Sequence, residues 1–114
     1  MNTYKAEEKI AAGCDHAGLA LKQELVNYLK ELGHEVIDLG TKTPDRVDYP
    51  DYGAVVGRAV AGGDADLGLL VCGSGIGIGI AANKIPGVRA ATIHDVTSAH
   101  LAREHNNANI ICLG

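Results

Sequence analysis

The chain has 114 residues, with 14 acidic and 10 basic side chains that give a formal charge of −4, and it contains no tryptophan or phenylalanine. This length and composition fit one compact domain with an aliphatic core. Scattered Lys and Arg residues and only four aromatic residues, all tyrosines, argue against a nucleic-acid partner, and no apolar stretch approaches the roughly 20 residues that cross a bilayer, which argues against a membrane partner.

The first half of the chain predicts two strand–helix units. An apolar run over 9–13 leads into the loop sequence CDHAG, after which Leu and Tyr residues recur at helical spacing until Gly33, a typical C-cap residue. A strand over 35–39, a polar loop over 40–50 and an amphipathic helix follow. The residues expected on the apolar face of that helix are Tyr52, Val55, Val56, Ala59 and Val60.

The second half of the chain continues the same alternation. It predicts strands over 67–71, 88–93 and 108–113, with a short helix over 78–83 and a longer helix over 97–104. Strands built from continuous aliphatic residues and separated by amphipathic helices form parallel sheets that are covered on both faces. The predicted fold is therefore a single α/β domain over 1–114, a three-layer α/β/α Rossmann-like domain with a five-stranded parallel sheet.

Ligands of such sheets bind at the carboxyl ends of the strands, where neighbouring connections leave to opposite faces. The first and third strands usually flank that point, so we expect their loops, CDHAG and CGSG, to open into one pocket. The pair His94-Asp95 follows the fourth strand at the same edge and is a weaker candidate. Cys14 and Cys72 both stand at strand ends, close enough in this arrangement for an oxidative cross-link to be considered.

The loop after the third strand, CGSGIGIG, indicates an anion site. Gly73, Gly75 and Gly77 can adopt positive φ and turn successive N–H groups toward a ligand at the start of a helix. The spacing differs from the dinucleotide fingerprint GxGxxG, and no P-loop lysine follows. A helix N-terminus favours the thiolate form of a cysteine, so Cys72 is a candidate for a thiolate near neutral pH; the alternative is a small buried apolar residue at a strand end.

Each further candidate has a structural alternative. His16 and His105 could be surface or helix-cap residues, Asp15 could cap the first helix, and Tyr49 could be a turn residue before Pro50. No metal site and no cofactor are expected, because the histidines show no metal-ligand spacing. The three cysteines form no CxxC pair and the N-terminal sequence MNTYKAEEKI is polar, a pattern typical of a reduced cytoplasmic protein.

Five blocks in order along the chain, GCDHAG, GHEVIDLGT, VDYPDY, CGSGIGIGIAANKIPGVRAA and SAHLAREHNNAN, resemble the ribose-5-phosphate isomerase B family, which includes galactose-6-phosphate and allose-6-phosphate isomerases. The resemblance implies a metal-independent aldose–ketose isomerase, an intramolecular oxidoreductase that works through an enediolate. It also implies the strand order 2-1-3-5-4 and a homodimer, or a dimer of dimers, with active sites between subunits.

The resemblance also assigns roles to residues. Cys72 matches the base that removes the C2 proton, and His105 matches the residue that opens the sugar ring. The matching substrate contacts are Asp15, His16, Tyr49, Gly73, Ser74, Gly75, Ile76, Gly77 and Asn106.

In the family a C-terminal helical segment carries arginines for the substrate phosphate, and no residue here matches them. We expect the 114 residues to be a shortened version of a longer protein; the alternative is that the phosphate is held differently. The leading function is interconversion of ribose 5-phosphate and ribulose 5-phosphate. The alternatives are isomerisation of allose 6-phosphate or galactose 6-phosphate, and a domain that binds a small phosphorylated ligand without turnover.

Overall fold

The structure is a computed structural model that describes residues 8–114. The first seven residues, including Tyr4 and most of the polar N-terminal sequence, lie outside the described residues. Five strands and four helices alternate strictly along the described chain. They are β1 (Lys9–Cys14), α1 (Leu19–Glu31), β2 (Glu35–Asp38), α2 (Tyr49–Ala61), β3 (Leu67–Val71), α3 (Ile76–Asn83), β4 (Ala90–Thr92), α4 (Val96–Asn106) and β5 (Ile110–Leu113).

The strands form one parallel sheet in the order β2-β1-β3-β5-β4, which confirms the predicted fold class and strand order. β3 lies at the centre, and its last residue, Val71, is in register with Cys14 of β1 and Leu113 of β5. The carboxyl ends of three neighbouring strands therefore reach the same line, which is where the loops CDHAG and CGSG begin.

Helices cover both faces of the sheet, which explains why the strands are apolar at consecutive positions. Leu70 packs into a cluster with Val56 of α2 and Ile78 of α3, whereas Val71 points the other way, into a cluster with Val26 of α1. Both strand residues have no exposed surface. Burial on two faces, rather than the alternation of a half-exposed strand, is the arrangement expected for a parallel sheet between helices.

Helix α2 packs closely against α3 through glycine residues. Its buried residues include Gly53 and Gly57 as well as two valines, and a Cβ added at Gly53 would lie 2.8 Å from the Ile78 carbonyl oxygen. The prediction that Val55 lies on the apolar face is wrong, because this side chain is 39% exposed. Glycine rather than valine at the contact lets the two helix backbones approach.

The last two strands are shorter than predicted. Val88 belongs to the turn after α3, where its N–H donates to the Ile85 carbonyl. The Asn109 side chain accepts the N–H of Arg89 at 2.8 Å and donates to the Gly87 carbonyl at 3.0 Å, while the backbone N–H of Asn109 donates to the Arg89 carbonyl at 3.0 Å. The Asn109 side chain therefore takes one of the hydrogen bonds that would otherwise extend the strand pairing. None of the helices within 8–114 has the length and apolar character that a membrane span requires.

Candidate functional site

The ends of β1 and β3 bring the two predicted loops side by side. The N–H of Asp15 donates to the carbonyl of Val71 at 3.2 Å, and Gly18 lies against the same carbonyl so closely that a Cβ there would overlap it. Ala17 lies opposite Gly73 of the second loop, with 3.9 Å between its Cβ and the position of a Cβ at Gly73. The two loops thus form one surface at the carboxyl edge of the sheet.

Cys72 follows β3 directly and is 6% exposed. Its Sγ accepts a hydrogen bond of 3.1 Å from the N–H of Gly75. Gly75 is the N-cap of α3 and has a φ of 78°, a conformation that an L-residue rarely adopts. The sulfur therefore faces both an N–H donor and the partial positive charge of a helix N-terminus.

The loop that carries Cys72 is held by its neighbours. The Thr92 hydroxyl donates to the carbonyl of Gly75 at 3.1 Å, and the Ser74 hydroxyl accepts the N–H of Ile76 at 3.2 Å. A Cβ at Gly75 would lie 2.9 Å from backbone atoms of Leu113, so the loop rests on the end of β5. No local pattern in the sequence pointed to Thr92, whose contact arises from the sheet order.

Only one of the three loop glycines has the predicted positive φ. Gly75 has it, whereas Gly73 and Gly77 do not, so that part of the prediction is wrong for these two. Gly77 lies inside α3, where φ is negative, and its lack of a side chain serves another purpose. A Cβ there would lie 2.7 Å from the ring of Tyr49, the first residue of α2. The tyrosine ring, 42% exposed, therefore lies over the start of α3.

Asp15 and His16 are fixed by backbone donors. Asp15 is 6% exposed and its Oδ1 accepts the N–H of Gly18 at 3.0 Å. Gly18 is itself the N-cap of α1, so the alternative that Asp15 is the cap of this helix is wrong and the contact lies within the loop. The Nδ1 of His16 accepts the N–H of Val47 at 3.2 Å. A neutral imidazole that accepts at Nδ1 carries its hydrogen on Nε2, which leaves His16 with a donor for a ligand.

His105 and Asn106 lie toward the other end of the sheet, where the strands begin, and not at the carboxyl ends where Cys72 lies. They are the last two residues of α4, which starts after the carboxyl end of β4 and returns the chain to Ile110, the residue in register with Gly68 at the start of β3. Five residues of extended strand, about 16 Å at 3.3 Å per residue, separate the start of β3 from Cys72. One chain therefore brings together all the predicted site residues except these two.

The pair His94-Asp95 has a structural role in the described fold. Asp95 is the N-cap of α4, and its Oδ1 accepts the N–H of Ser98 at 2.6 Å while the Ser98 hydroxyl accepts the N–H of Asp95 at 3.3 Å. Hydrogen bonds from Ser98 lower the pKa of the Asp95 carboxyl. This capping box accounts for Asp95 at this position without a role in ligand binding.

The three cysteines lie on two faces of the sheet. Cys14 packs in the cluster on the α1 face, whereas Cys72 and Cys112 pack in the cluster under α2 and α3. The idea of a cross-link between Cys14 and Cys72 is therefore wrong, because the sheet separates their side chains. Burial raises the pKa of Cys14, and burial together with the nearby Cys72 raises the pKa of Cys112 to about 12.

The sequence analysis did not identify Lys22 as a buried charged residue. It has no exposed surface, and its Nζ lies 2.7 Å from Oδ2 of Asp38 at the end of β2. A signal was available, because Lys22 stands at heptad-like spacing between Leu19, Val26 and Leu29, which all pack toward the sheet. A lysine inside an apolar stripe indicates a buried charge with a partner.

Two further features of the described residues bear on ligands. Within 8–114 no three His, Cys, Asp or Glu side chains are grouped so that they could hold a metal ion.

A groove of about 380 Å³ lies between α1 and α4, lined mostly by aliphatic side chains such as Leu25, Leu69 and Ile111. It lies on the face opposite the Cys72 side chain, and Cys72, Asp15 and His16 do not line it.

The sequence matches known isomerases over most of its length. The family model for ribose/galactose isomerases matches residues 10–114. Ribose-5-phosphate isomerase B of Escherichia coli is 52% identical over 107 residues, which cover 94% of this chain and 72% of that protein.

Solved structures give the same result. Ribose-5-phosphate isomerase B of Clostridium thermocellum superposes with a TM-score of 0.92 at 52% identity, covering 93% of this chain and 72% of that one. The Mycoplasma genitalium enzyme, whose structure contains bound ribulose 5-phosphate, has a TM-score of 0.88 at 44% identity, covering 93% and 71%. Identity at this level over almost all of this chain, with the same strand order, shows that the chain belongs to the ribose/galactose isomerase family.

Proposed function

We propose that this protein interconverts ribose 5-phosphate and ribulose 5-phosphate. The observation that carries the proposal is the N–H of Gly75 on the sulfur of Cys72 at the first turn of α3, beside Asp15 and His16, in a member of this family. The C2 proton of an aldose is weakly acidic, so its removal needs a positioned base and donors aimed at the oxygen that becomes negative. Cys72 and the N–H groups of the loop over 73–77 are suited to these tasks.

The proposed reaction needs only this base and these donors. The Cys72 thiolate takes the proton from C2, the electron pair of the C–H bond forms the C1–C2 double bond, and the C1 carbonyl oxygen takes the negative charge. The cysteine then returns the proton to C1, while the hydroxyl proton on O2 moves to O1 and leaves a carbonyl at C2. The hydroxyl of Ser74 and the loop N–H groups other than those of Gly75 and Ile76 hold the enediolate.

Ring opening is assigned to His105 of a second copy of the chain. A furanose opens when a proton moves between the anomeric hydroxyl and the ring oxygen, and an imidazole can both donate and accept a proton. Since His105 and Asn106 lie at the far edge of their own sheet, a homodimer that places them against the Cys72 edge of a partner supplies what one chain lacks. The separation of the two edges supports this dimer.

The choice of sugar is tested by three parallel incubations. Ribose 5-phosphate, allose 6-phosphate and galactose 6-phosphate are each incubated with the protein in D₂O, and NMR follows ketose formation and deuterium at C2. We expect ribose 5-phosphate to react fastest. Faster turnover of a six-carbon sugar identifies the alternative isomerases, and binding without deuterium exchange identifies a non-catalytic domain, which contradicts the proposal.

We place this enzyme, as one isomerase domain over 1–114, in the cytoplasm. Cys14, Cys72 and Cys112 are all free thiols, which fits a reducing compartment. The proposed mechanism also needs a reduced Cys72. Oxidation of that sulfur would remove the base, so activity should depend on the protein being kept in a thiol buffer.

A further inference from the structure

The Lys22–Asp38 pair is a buried charge pair of α1 and β2. The lysine side chain is fully buried and the aspartate side chain is 30% exposed, with 2.7 Å between Nζ and Oδ2. A buried ion pair generally contributes no more to stability than an apolar pair of the same size. A methionine would fill the same stripe of α1, so stability of the fold alone gives no reason for a lysine there.

The other oxygen of Asp38 holds the loop between β2 and α2. Oδ1 accepts the N–H of Gly40 at 3.1 Å, and Gly40 lies so close to Cys14 that a Cβ would come within 2.9 Å of the Cys14 nitrogen. The next residue, Thr41, donates its N–H to the Cys14 carbonyl at 3.4 Å. The pair therefore fixes the start of this loop against the residue that precedes Asp15.

The far end of the same loop holds His16. The N–H of Val47 donates to Nδ1 of His16 at 3.2 Å, and two residues later the chain enters α2 at Tyr49. The segment over 39–48 is thus attached at one end to Cys14 and at the other to His16. The attachment to Cys14 depends on Asp38, and Asp38 is the aspartate of the buried charge pair.

We infer that Lys22 is a positioning residue for substrate binding. Through Asp38 and Gly40 it fixes the segment over 39–48, and this segment keeps His16 in its Nε2–H form and sets Tyr49 over the site. The inference rests on the proposed function and on the expectation from the family resemblance that both side chains contact the sugar phosphate. Cys72 and its N–H donor belong to the separate loop after β3, so the pair acts on binding rather than on proton transfer.

Kinetics of Lys22→Met test this role. We expect KM for ribose 5-phosphate to rise about tenfold or more, because small misplacements of binding groups are costly, while kcat stays within about threefold of the wild-type value. The matched control is Lys9→Met, which removes an exposed ion pair between Lys9 of β1 and Glu35 of β2, with 3.6 Å between Nζ and Oε2, and should leave both constants unchanged. A lower melting temperature with an unchanged KM, or a loss confined to kcat, would overturn the inference.

Two double variants keep the test valid if Lys22→Met does not fold. In Lys22→Met alone, the unpaired Asp38 carboxylate should turn toward water and release the N–H of Gly40, because its side chain is 30% exposed. Lys22→Met with Asp38→Asn removes the charge as well as the pair and keeps an oxygen that can accept the N–H of Gly40, so KM should stay near that of the wild type. Lys22→Met with Asp38→Ala leaves neither an unpaired charge nor that acceptor, so KM should rise about tenfold. Equal KM values for the two double variants would overturn the inference.

A spectroscopic measurement separates this inference from the proposed function. In ¹⁵N–¹H NMR, His16 of the wild-type chain should show the Nε2–H form, and the Lys22→Met/Asp38→Ala variant should show a mixture of tautomers. If the wild-type chain converts none of the sugar phosphates but this change appears, the proposed function fails and the positioning role stands. If the chain is an active isomerase and neither KM nor the tautomer changes, the positioning role fails and the proposed function stands.

Discussion

The sulfur of Cys72 accepts a hydrogen bond from the N–H of Gly75, and this contact distinguishes it from the chain's other cysteines. If this sulfur is the base, Cys72→Ala should lower isomerisation and C2 deuterium exchange by at least about 100-fold, while far-UV circular dichroism shows an intact fold. Cys112→Ala is the matched control, because Cys112 is buried in the same cluster; it should lose some stability and keep its kinetic constants. Full activity of the Cys72 variant would rule out the base.

Single residues also show where prediction from sequence succeeds and where it stops. The loop CGSG could be placed next to CDHAG because the carboxyl ends of neighbouring parallel strands meet at one edge. The partner of Lys22 could not be found, because Asp38 is brought to it only by the pairing of β1 with β2. The conformation of Gly77 was also missed, since its small size makes room for the Tyr49 ring rather than for a positive φ.

At the scale of elements, the start of α1 depends on a close contact with β3. Gly18→Ala should lower the free energy of unfolding by about 2–3 kcal/mol, since the new Cβ would overlap the Val71 carbonyl and force the buried loop to move. Gly63→Ala is the comparison, because its Cβ meets no atom within 4 Å and only its φ of 86° is unfavourable, at a cost of about 1–2 kcal/mol. Urea unfolding measures both, and a smaller loss for Gly18→Ala would contradict the contact.

The start of α4 gives a prediction about pH. Because hydrogen bonds from Ser98 lower the pKa of Asp95 below its ordinary value of 3.8, this carboxylate stabilises the folded state above that value. The stabilisation is lost as the pH falls through the lower, folded-state pKa. The melting temperature of Asp95→Ala should therefore lie below that of the wild type at neutral pH, and the difference should shrink as the pH falls below 3.8. A difference that stays constant with pH would show that the charge plays no part.

The order of strands and helices was predictable because the hydrophobic pattern of each element fits the same fold, a parallel sheet between helices. Continuous apolar strands such as Leu67–Val71 and intervening helices specify a parallel sheet without knowledge of long-range contacts. The ends of β4 and β5 were not predictable in the same way. They depend on the side chain of Asn109 taking the hydrogen bonds of the neighbouring turn, a contact that only the assembled sheet reveals.

At the scale of the whole molecule, the two proposed catalytic residues lie at opposite edges of one sheet. Cys72→Ala and His105→Asn should each be inactive on cyclic ribose 5-phosphate when purified alone. Co-expressed with different affinity tags and purified through both, mixed dimers should regain about half of the wild-type activity, because one of their two sites then holds an intact cysteine and an intact histidine. Mixed dimers without activity would mean that each site takes Cys72 and His105 from the same chain, which would contradict the proposed dimer.

The direction of helix α4 should make the specific activity of the protein depend on its concentration. Its 11 residues start at the edge of the sheet where β4 ends and finish at the other edge, so no folding of a single chain can complete the proposed site. Turnover per milligram should then fall on dilution, and the concentration at half-maximal specific activity would report the dissociation constant of the pair. A cell that makes little of this protein would hold folded chains with an intact thiol and no means of opening a sugar ring.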